Sequence, residues 1–513
     1  MDRDWKVIEG IFKQARKDLY YPPIVKVELA DVQTCEIDFS SRSYRILIGE
    51  DMITKLSEKA LLGIFHHELN HWAKHPYDAK TVILEDHFLG EVQNKNTIRN
   101  FYDDVIVNLD LIINRGLSEV AEVYRELPAA GKIDRLLRGF YRALTDMDFD
   151  AVRLEEELAE RLMRLIEIDF LNMSRTRIKA NIRKFAEIMG NLTDEEIRLP
   201  FSFFSLKDFN YSEMKKAMRN IAEEIDPQEY KQISWEVLNE LKKEARISPG
   251  EKSSLRELEK ADVFWYRIRA QKFAVYIEAF SKKDPLYPDE LKDFEFSENI
   301  DTFSPVESYG KVLPGLAKRY ELSEFEGHEA ISIPDAVIML DSSGSMRHPG
   351  KEISYAVLGA FSVTRNYLEH GSKVGVINFS DQNLELWPTK DRNKVYETLS
   401  IYQGGGTTLF LDHLKQYMIK IKNGDNREKI DHILITDAGI DNITNVVEYL
   451  SELGDRITII WIKGDVKDHE EFEKNYRLLK EGLSPYVTFV EIEDEKDIPR
   501  IAVGESFGFY AGH

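Results

Sequence analysis

The sequence predicts a multidomain protein of α+β and α/β architecture. It divides into an α+β region at residues 1–120, a mainly helical stretch at 121–330 and a doubly wound α/β domain at 331–513. Three observations predict this. From residue 333 onward, short apolar runs alternate with segments of helical spacing, the pattern of βαβ units whose parallel sheet is covered on both faces. The first 120 residues set short strand-like runs between helical segments. Leu117 to about Ile300 carries apolar residues at helical spacing with charged opposite faces. A length of 513 residues suggests about three domains.

The elements follow in order. Trp5 to Leu19 alternates apolar and charged residues at helical spacing, and Tyr21-Pro-Pro stops it. Val25–Leu29, Thr34–Phe39 and Ser43–Ile48 read as short strands. Leu56–Lys74 is strongly helical and ends before Pro76; Thr97–Ile113 is a second helix. Val152–Ile168 and Arg175–Met189 are amphipathic, and Thr193-x-x-Glu196 is a capping box. Asp226-Pro-Gln and Ser248-Pro-Gly mark breaks, and Lys283–Pro334 is the crossing to the last domain, with a strand at Ser308–Val312. Strands are predicted at Asp335–Asp341, Val374–Phe379, His432–Thr436, Ile457–Ile462 and Val487–Ile492. Helices are predicted at Ile353–Leu368, Lys394–Leu399, Leu411–Lys422 and Asn445–Leu453.

Composition narrows the function. The net charge of −22 argues against general binding to nucleic acid or anionic membranes. The basic run Ser174–Lys184 lacks interleaved aromatics and reads as a solvated helix face. One cysteine, Cys35, excludes an internal disulfide framework. With no run of 18 apolar residues and no amino-terminal signal pattern, a cytoplasmic protein is expected. There is no Walker A sequence, so the α/β domain is not expected to be a P-loop ATPase.

Two sets of residues carry chemistry. In the first, the apolar run Ala336–Leu340 feeds Asp341-Ser-Ser-Gly-Ser345 at the carboxyl end of a strand, where open α/β sheets bind ligands. One carboxylate and two hydroxyls are hard donors suited to a magnesium-like cation. Gln403-Gly-Gly-Gly-Thr407-Thr408 and the strand Ile433–Thr436 ending in Asp437 complete the set. This combination resembles the von Willebrand factor A (VWA) domain and its metal-ion-dependent adhesion site (MIDAS). The resemblance implies Mg2+ held by Asp341, Ser343, Ser345, Thr407 and Asp437, with one position left for a partner's carboxylate. Thr408 is the alternative to Thr407, and Ala438 stands where the family often has Gly.

The second set is His67-Glu68-Leu69-Asn70-His71, an H-E-x-x-H motif on the Leu56–Lys74 helix. Four residues apart, His67 and His71 share a face and can bind one Zn2+, while Glu68 is placed to act as general base toward water. Candidates for a third ligand are His75, His87, Glu91, Asp103 and Asp104. His75 lies about 12 Å from His67 along a continuous helix, too far to share an ion with both histidines. Asn100, Asp104 and Asn108 form a polar stripe on an otherwise apolar helix, and Asp103 faces about 100° away. The order of strands and helix resembles the zincin metallopeptidases, whose strand before the helix holds extended substrate; here that is Ser43–Ile48. The N-x-x-x-D-x-x-x-N stripe resembles a family of zincin-like metallopeptidases with a C-terminal VWA-like domain. That resemblance implies Asp104 as third ligand, with Asn100 and Asn108 hydrogen-bonded behind the ligands, and a MoxR-type AAA+ ATPase as protein partner.

The expected function is therefore a zinc-dependent metallopeptidase joined to a VWA-type interaction domain. The alternative is a non-enzymatic adaptor with a degenerate zincin fold. RNA binding, as in Ro-type proteins with a related domain, is disfavoured by the charge.

Overall fold

Burial alternates along short strands such as Cys35–Asp38 and Arg45–Ile48 and is continuous along Asp335–Asp341 and Val374–Phe379, so the first are covered on one face and the second on both. The computed structural model of the chain describes residues 4–32, 34–38, 44–76, 78–129, 131–190, 206, 209–243, 259–283, 287–294, 303–310, 313, 316–323, 329–424, 430–453, 455–463, 469–483 and 487–503. The chain divides into two compact units: Met1–Ile225 with Glu229–Glu259, and Asp226–Gln228 with Lys260–His513. The sequence reads three regions; most of the helical middle falls in the first unit.

In the first unit, α1 (Trp5–Asp18) precedes three strands, β1 (Lys26–Leu29), β2 (Cys35–Asp38) and β3 (Arg45–Ile48), in the order β1-β3-β2. β3 pairs parallel with β1 and antiparallel with β2. Arg45 reinforces this order, reaching Glu28 at 2.5 Å on one side and Asp38 at 2.9 Å on the other. β3 is thus the central strand with both edges taken, which corrects the expectation that Ser43–Ile48 could accept an extended substrate; the outer strands are β1 and β2.

After α2 (Glu50–Lys55), α3 (Glu58–Ala73) starts at Ser57, whose hydroxyl accepts the Ala60 amide at 3.1 Å. From Ala60 to His71 nearly every residue is buried, so α3 is a central helix packed all round, not a one-faced surface helix. Gly63 makes this possible: a Cβ there would meet the Glu119 carbonyl oxygen at 2.4 Å. α4 (Ala79–Leu89) and α5 (Lys95–Leu109) follow, and α5 is likewise buried from Ile98 onward. A π-helical turn, Asp110–Asn114, closes α5. α6 (Val120–Glu126), α7 (Gly131–Thr145), α8 (Glu156–Ile166), α9 (Arg175–Met189), α10 (Tyr211–Ala222) and α11 (Pro227–Lys243) complete the helical part. The predicted Thr193 capping box and the Ser248-Pro-Gly break lie outside the described residues.

The second unit begins with α12 (Ala261–Ala270) and a set of short strands: β4 (Tyr276–Ile277), β5 (Phe280–Lys283), β6 (Tyr287–Asp293), β7 (Lys318–Ser323) and β8 (Glu329–Ser332). β5 pairs with β8 and β6 with β7, so the expectation of helix up to Ile300 does not hold. Their partners lie some tens of residues away, and polar runs such as Tyr287–Asp293 carry no local strand signature. At the expected strand Ser308–Val312, residues 305–310 form turns, and 311–312 lie outside the described residues.

A six-stranded sheet follows, in the order β11-β10-β9-β12-β13-β14. Its strands are β9 (Asp335–Asp341), β10 (Val374–Phe379), β11 (Asn383–Thr389), β12 (Ile430–Thr436), β13 (Arg456–Ile462) and β14 (Val487–Ile492). All pair in parallel except the edge strand β11. Its helices are α13 (Tyr355–Glu369), α14 (Arg392–Leu399), α15 (Leu411–Gly424), α16 (Ile443–Glu452) and α17 (His469–Leu483). Val337 and Met339, alternate residues of β9, join Ile377, Leu434, Ile459 and Trp461 in one core layer with the buried side chains of α15, α16 and α17. From β9 the chain proceeds to β10 on one side and later to β12, β13 and β14 on the other. The sheet therefore switches direction between the carboxyl ends of β9 and β12, the place where open α/β sheets form a crevice.

Candidate metal centres

In the first unit, His67 and His71 point from consecutive turns of α3 toward Asp104 of α5. Their Nε2 atoms are 3.0 Å apart, and Asp104 Oδ1 lies 3.4 Å from His67 Nε2 and 3.3 Å from His71 Nε2. The far ring nitrogens are both engaged. His67 Nδ1 donates to Asn108 Oδ1 at 2.8 Å, and His71 Nδ1 donates to the His75 carbonyl at 2.9 Å. Each ring therefore turns its Nε2 toward the other ring and toward Asp104. Burial and the nearby His71 hold His67 below its ordinary pKa, against the pull of Asp104. Burial alone would raise Asp104, but the two histidines hold it below the usual carboxylate value. Three lone-pair atoms thus converge and call for positive charge between them. A shared proton can bridge two of them, whereas a metal ion satisfies all three. Ligands 2.0–2.1 Å from a tetrahedral ion stand about 3.3 Å apart, so the spacing fits zinc.

Asn108 is fixed in turn, since its Nδ2 donates to Tyr141 Oη at 3.0 Å and to Tyr124 Oη at 3.4 Å. Asn70, between Glu68 and His71, donates to the Val107 carbonyl and to Asp110, both at 3.2 Å, and so pins α3 to the end of α5. The H-E-x-x-H pattern does not single out Asn70, Tyr124 or Tyr141; their role is visible only once the helices are packed. Glu68 is buried beside His67, and its charge is felt at Cys35 on β2, whose thiol is pushed up by burial first and by Glu68 second. Asn100 is buried one turn before Asp104.

The other third-ligand candidates go elsewhere. His87 faces Glu236 at 3.1 Å and Glu229 at 3.6 Å, and Glu91 is exposed. α3 stops at Ala73, so His75 does not continue its face; it meets Glu85 and Asp103 instead.

In the second unit, Asp341 ends β9 and Asp437 follows β12, on either side of the switch point. Asp341 Oδ1 accepts the Ser343 amide at 3.0 Å, and Oδ2 accepts the Thr436 hydroxyl at 2.7 Å. Burial and the charge of Asp437 nevertheless push Asp341 up to about 7. Burial also raises Asp437, which a hydrogen bond from Ser345 and one from the Gly439 amide at 2.8 Å partly offset. Ser343 and Ser345 hydroxyls are 3.0 Å apart. The glycine loop is stapled to this turn, as the Gly344 amide donates to the Gly405 carbonyl at 2.8 Å and the Gly404 amide to the Ser342 carbonyl at 2.9 Å. The loop carries Thr407 inward to a buried position, while Thr408 turns its hydroxyl to Asp441 at 3.4 Å. Two carboxylates and two hydroxyls therefore meet at one rim beside Thr407, a set of oxygen donors that fits a hard divalent cation. Ala438 takes a left-handed φ of 70°, the conformation that favours glycine at this turn.

No protein-family model matches the chain, and no curated protein matches it. Among solved structures, the manganese-loaded Plasmodium vivax TRAP protein is similar at 17% identity and a TM-score of 0.25. The match covers 33% of this chain and 74% of that one. A likeness of that size carries no argument about this chain.

Proposed function

We propose that the chain is a two-centre metalloprotein. In the first unit, His67, His71 and Asp104 hold a zinc ion in a zincin-like site. In the second, Asp341, Ser343, Ser345, Thr407 and Asp437 hold magnesium in a VWA-type adhesion site that takes a carboxylate from a protein partner. The observation that carries the reading is the convergence of two histidine Nε2 atoms and Asp104 Oδ1, with both far nitrogens tied down. The rim site is supported by its place at the switch point and by two buried carboxylates, of which Asp437 raises the cost of ionising Asp341.

When bound, zinc would supply Lewis acidity, polarising a peptide carbonyl and making water more acidic. Asn108 and the His75 carbonyl orient the two rings by holding the Nδ1 protons. Glu68 would take a proton from water at a carboxylate oxygen and return it to the departing amine. The activity would be peptide hydrolysis, with a AAA+ ATPase of the MoxR type as the partner docked at the rim site.

A second reading has an observation of its own. His67, Glu68, His71 and Asp104 are each 4% exposed or less, which suits an ion that holds helices together in a non-enzymatic adaptor. Peptide cleavage by the full chain, with zinc content measured alongside, separates the two. Under the hydrolase reading, Glu68→Gln keeps its zinc and loses cleavage. Under the adaptor reading the zinc-loaded wild type cleaves nothing. Wild-type protein that carries no zinc after dialysis against the metal overturns both. For the rim site, Ser343→Ala with Ser345→Ala should lower partner recovery as much as a chelator does. Equal recovery from wild type and variant in chelator and in magnesium would remove the ion from docking.

A further inference from the structure

A second cluster in the first unit lies outside the zinc set. His75 from the segment after α3, Glu85 from α4 and Asp103 from α5 bring one donor atom each within 4.8 Å of one another. His75 Nε2 is 2.7 Å from Glu85 Oε1 and 3.2 Å from Asp103 Oδ1. All three side chains are 1% exposed or less. None of their six nitrogen and oxygen atoms has a hydrogen-bond partner, despite the short approaches. An ion pair built to stabilise the fold would align at least one N–H with an oxygen, because a buried polar atom left unpaired is costly.

We propose that His75 Nε2, Glu85 and Asp103 form a second metal site, distinct from the first, for a divalent first-row transition ion such as manganese, ferrous iron or zinc. One imidazole and two carboxylates make a donor set of intermediate hardness that suits these ions. The charges agree. Glu85, Asp103 and neighbouring Asp86 face a single guanidinium, Arg99, which lies 2.6 Å from Asp86 Oδ1 and 3.9 Å from Asp103 Oδ2. Against these three carboxylates stand Arg99 and, at Asp86, Lys95, so with a neutral His75 the cluster keeps net negative charge for a divalent ion to offset.

The two sites share no donor atom, yet they touch through the backbone. The carbonyl of His75 holds His71 Nδ1, and Asp103 precedes Asp104. An ion at the second site would therefore fix the carbonyl that orients a ligand of the first.

The test uses the full chain, stripped of metal and dialysed against Mn2+ or Zn2+ with excess Mg2+ to fill the rim site. Bound metal is then counted by elemental analysis. Wild type should retain two equivalents of transition metal. Glu85→Gln and Asp103→Asn, which keep side-chain volume, should each lose one equivalent and retain the other. His71→Ala should also lose one, and Glu85→Gln with His71→Ala should lose both. Equal metal content in wild type and Glu85→Gln overturns the second site while leaving the first standing. Failure of the first site would show instead as unchanged content in His71→Ala. If Glu85→Gln and Asp103→Asn do not fold, anomalous diffraction from manganese-soaked wild-type crystals decides. A peak between His75, Glu85 and Asp103 supports the site, and featureless density there refutes it.

Discussion

Replacing Asp341 by Asn should stabilise the metal-free protein, although it removes a ligand of the rim site. Burial and Asp437 push this carboxyl from its ordinary 3.8 to about 7, so its charged form is disfavoured in the fold. At 1.36 kcal/mol per tenfold, three tenfold steps amount to about 4 kcal/mol at pH 8. Asn carries no charge and escapes that cost, but it is not free of loss. Thr436 donates to Asp341 Oδ2 and accepts from the Ala438 amide at 3.0 Å. Facing an amide NH2, its buried hydroxyl proton loses its acceptor, a penalty of about 1–3 kcal/mol. The net expectation is a gain of about 1–3 kcal/mol, or several degrees in the melting temperature of a unit this size. The pH dependence has a defined sign. A carboxyl whose folded pKa is raised destabilises the fold once pH passes its unfolded value, so metal-free wild type gains stability as pH falls from 8 toward 4. The advantage of Asp341→Asn should be present at pH 8 and gone near pH 4. Thermal unfolding in chelator at several pH values measures this, and saturating Mg2+ should reverse the order, because only wild type then gains from binding. A variant less stable than wild type at pH 8 in chelator, or a difference that does not change with pH, refutes the reasoning.

Three further outcomes follow from distances given above or from the second unit's core. Asn108→Ala should weaken zinc binding by about ten- to a hundredfold without abolishing it, measured by competition with a chromophoric chelator, because it frees the Nδ1 side of His67 but removes no ligand. Arg456→Met should cost about 3–5 kcal/mol in urea unfolding, since it strands Asp431, a fully buried carboxylate that accepts from Arg456 Nε and Nη2 at 2.7 Å each; Tyr367→Phe, which removes a 2.6 Å donor to the same carboxylate, should cost less. Gly63→Ala should destabilise the first unit by about 1–3 kcal/mol or prevent folding, because its Cβ would press on the backbone at Glu119, and circular dichroism melting checks it.

The second half of the fold was largely legible because the four central strands of its six-stranded sheet, β9, β10, β12 and β13, are buried on both faces. β9 and β10 match the predicted spans to the residue, their side chains buried from end to end, and β14, an outer strand only partly buried, matches on the apolar residues it keeps, Val487, Phe489, Val490 and Ile492. β11 was not legible: Pro388 weakens its pattern, and the strand tolerates proline only because it lies on the sheet edge. α4 shows why part of the first unit was opaque. Val82, Ile83, Leu84, Phe88 and Leu89 are buried around much of its circumference, which blurs the one-faced periodicity that marks a helix. Glu85 travels with it, so the second cluster leaves no motif in the sequence. The pairing of His67 and His71 was readable from spacing, and the polar stripe marked Asp104. The end of α3 was readable as well, since Pro76 stops the predicted helix at Lys74 and the helix ends at Ala73; what spacing could not supply is where the chain then carries His75, to Glu85 of α4 and Asp103 of α5.

Asp103 and Asp104 are consecutive, so on α5 they diverge by about 100° and serve different neighbours. Together they encode an angle. A helix gripped by one residue can still roll, but one gripped on two bearings has a single permitted phase. Any insertion or deletion earlier in α5 would have to conserve that phase or trade the two carboxylates between sites. The π-helical turn that follows Leu109 is where such slack can be absorbed: it adds its extra residue after both bearings are set, and so lets the chain leave the helix in a new direction without disturbing either.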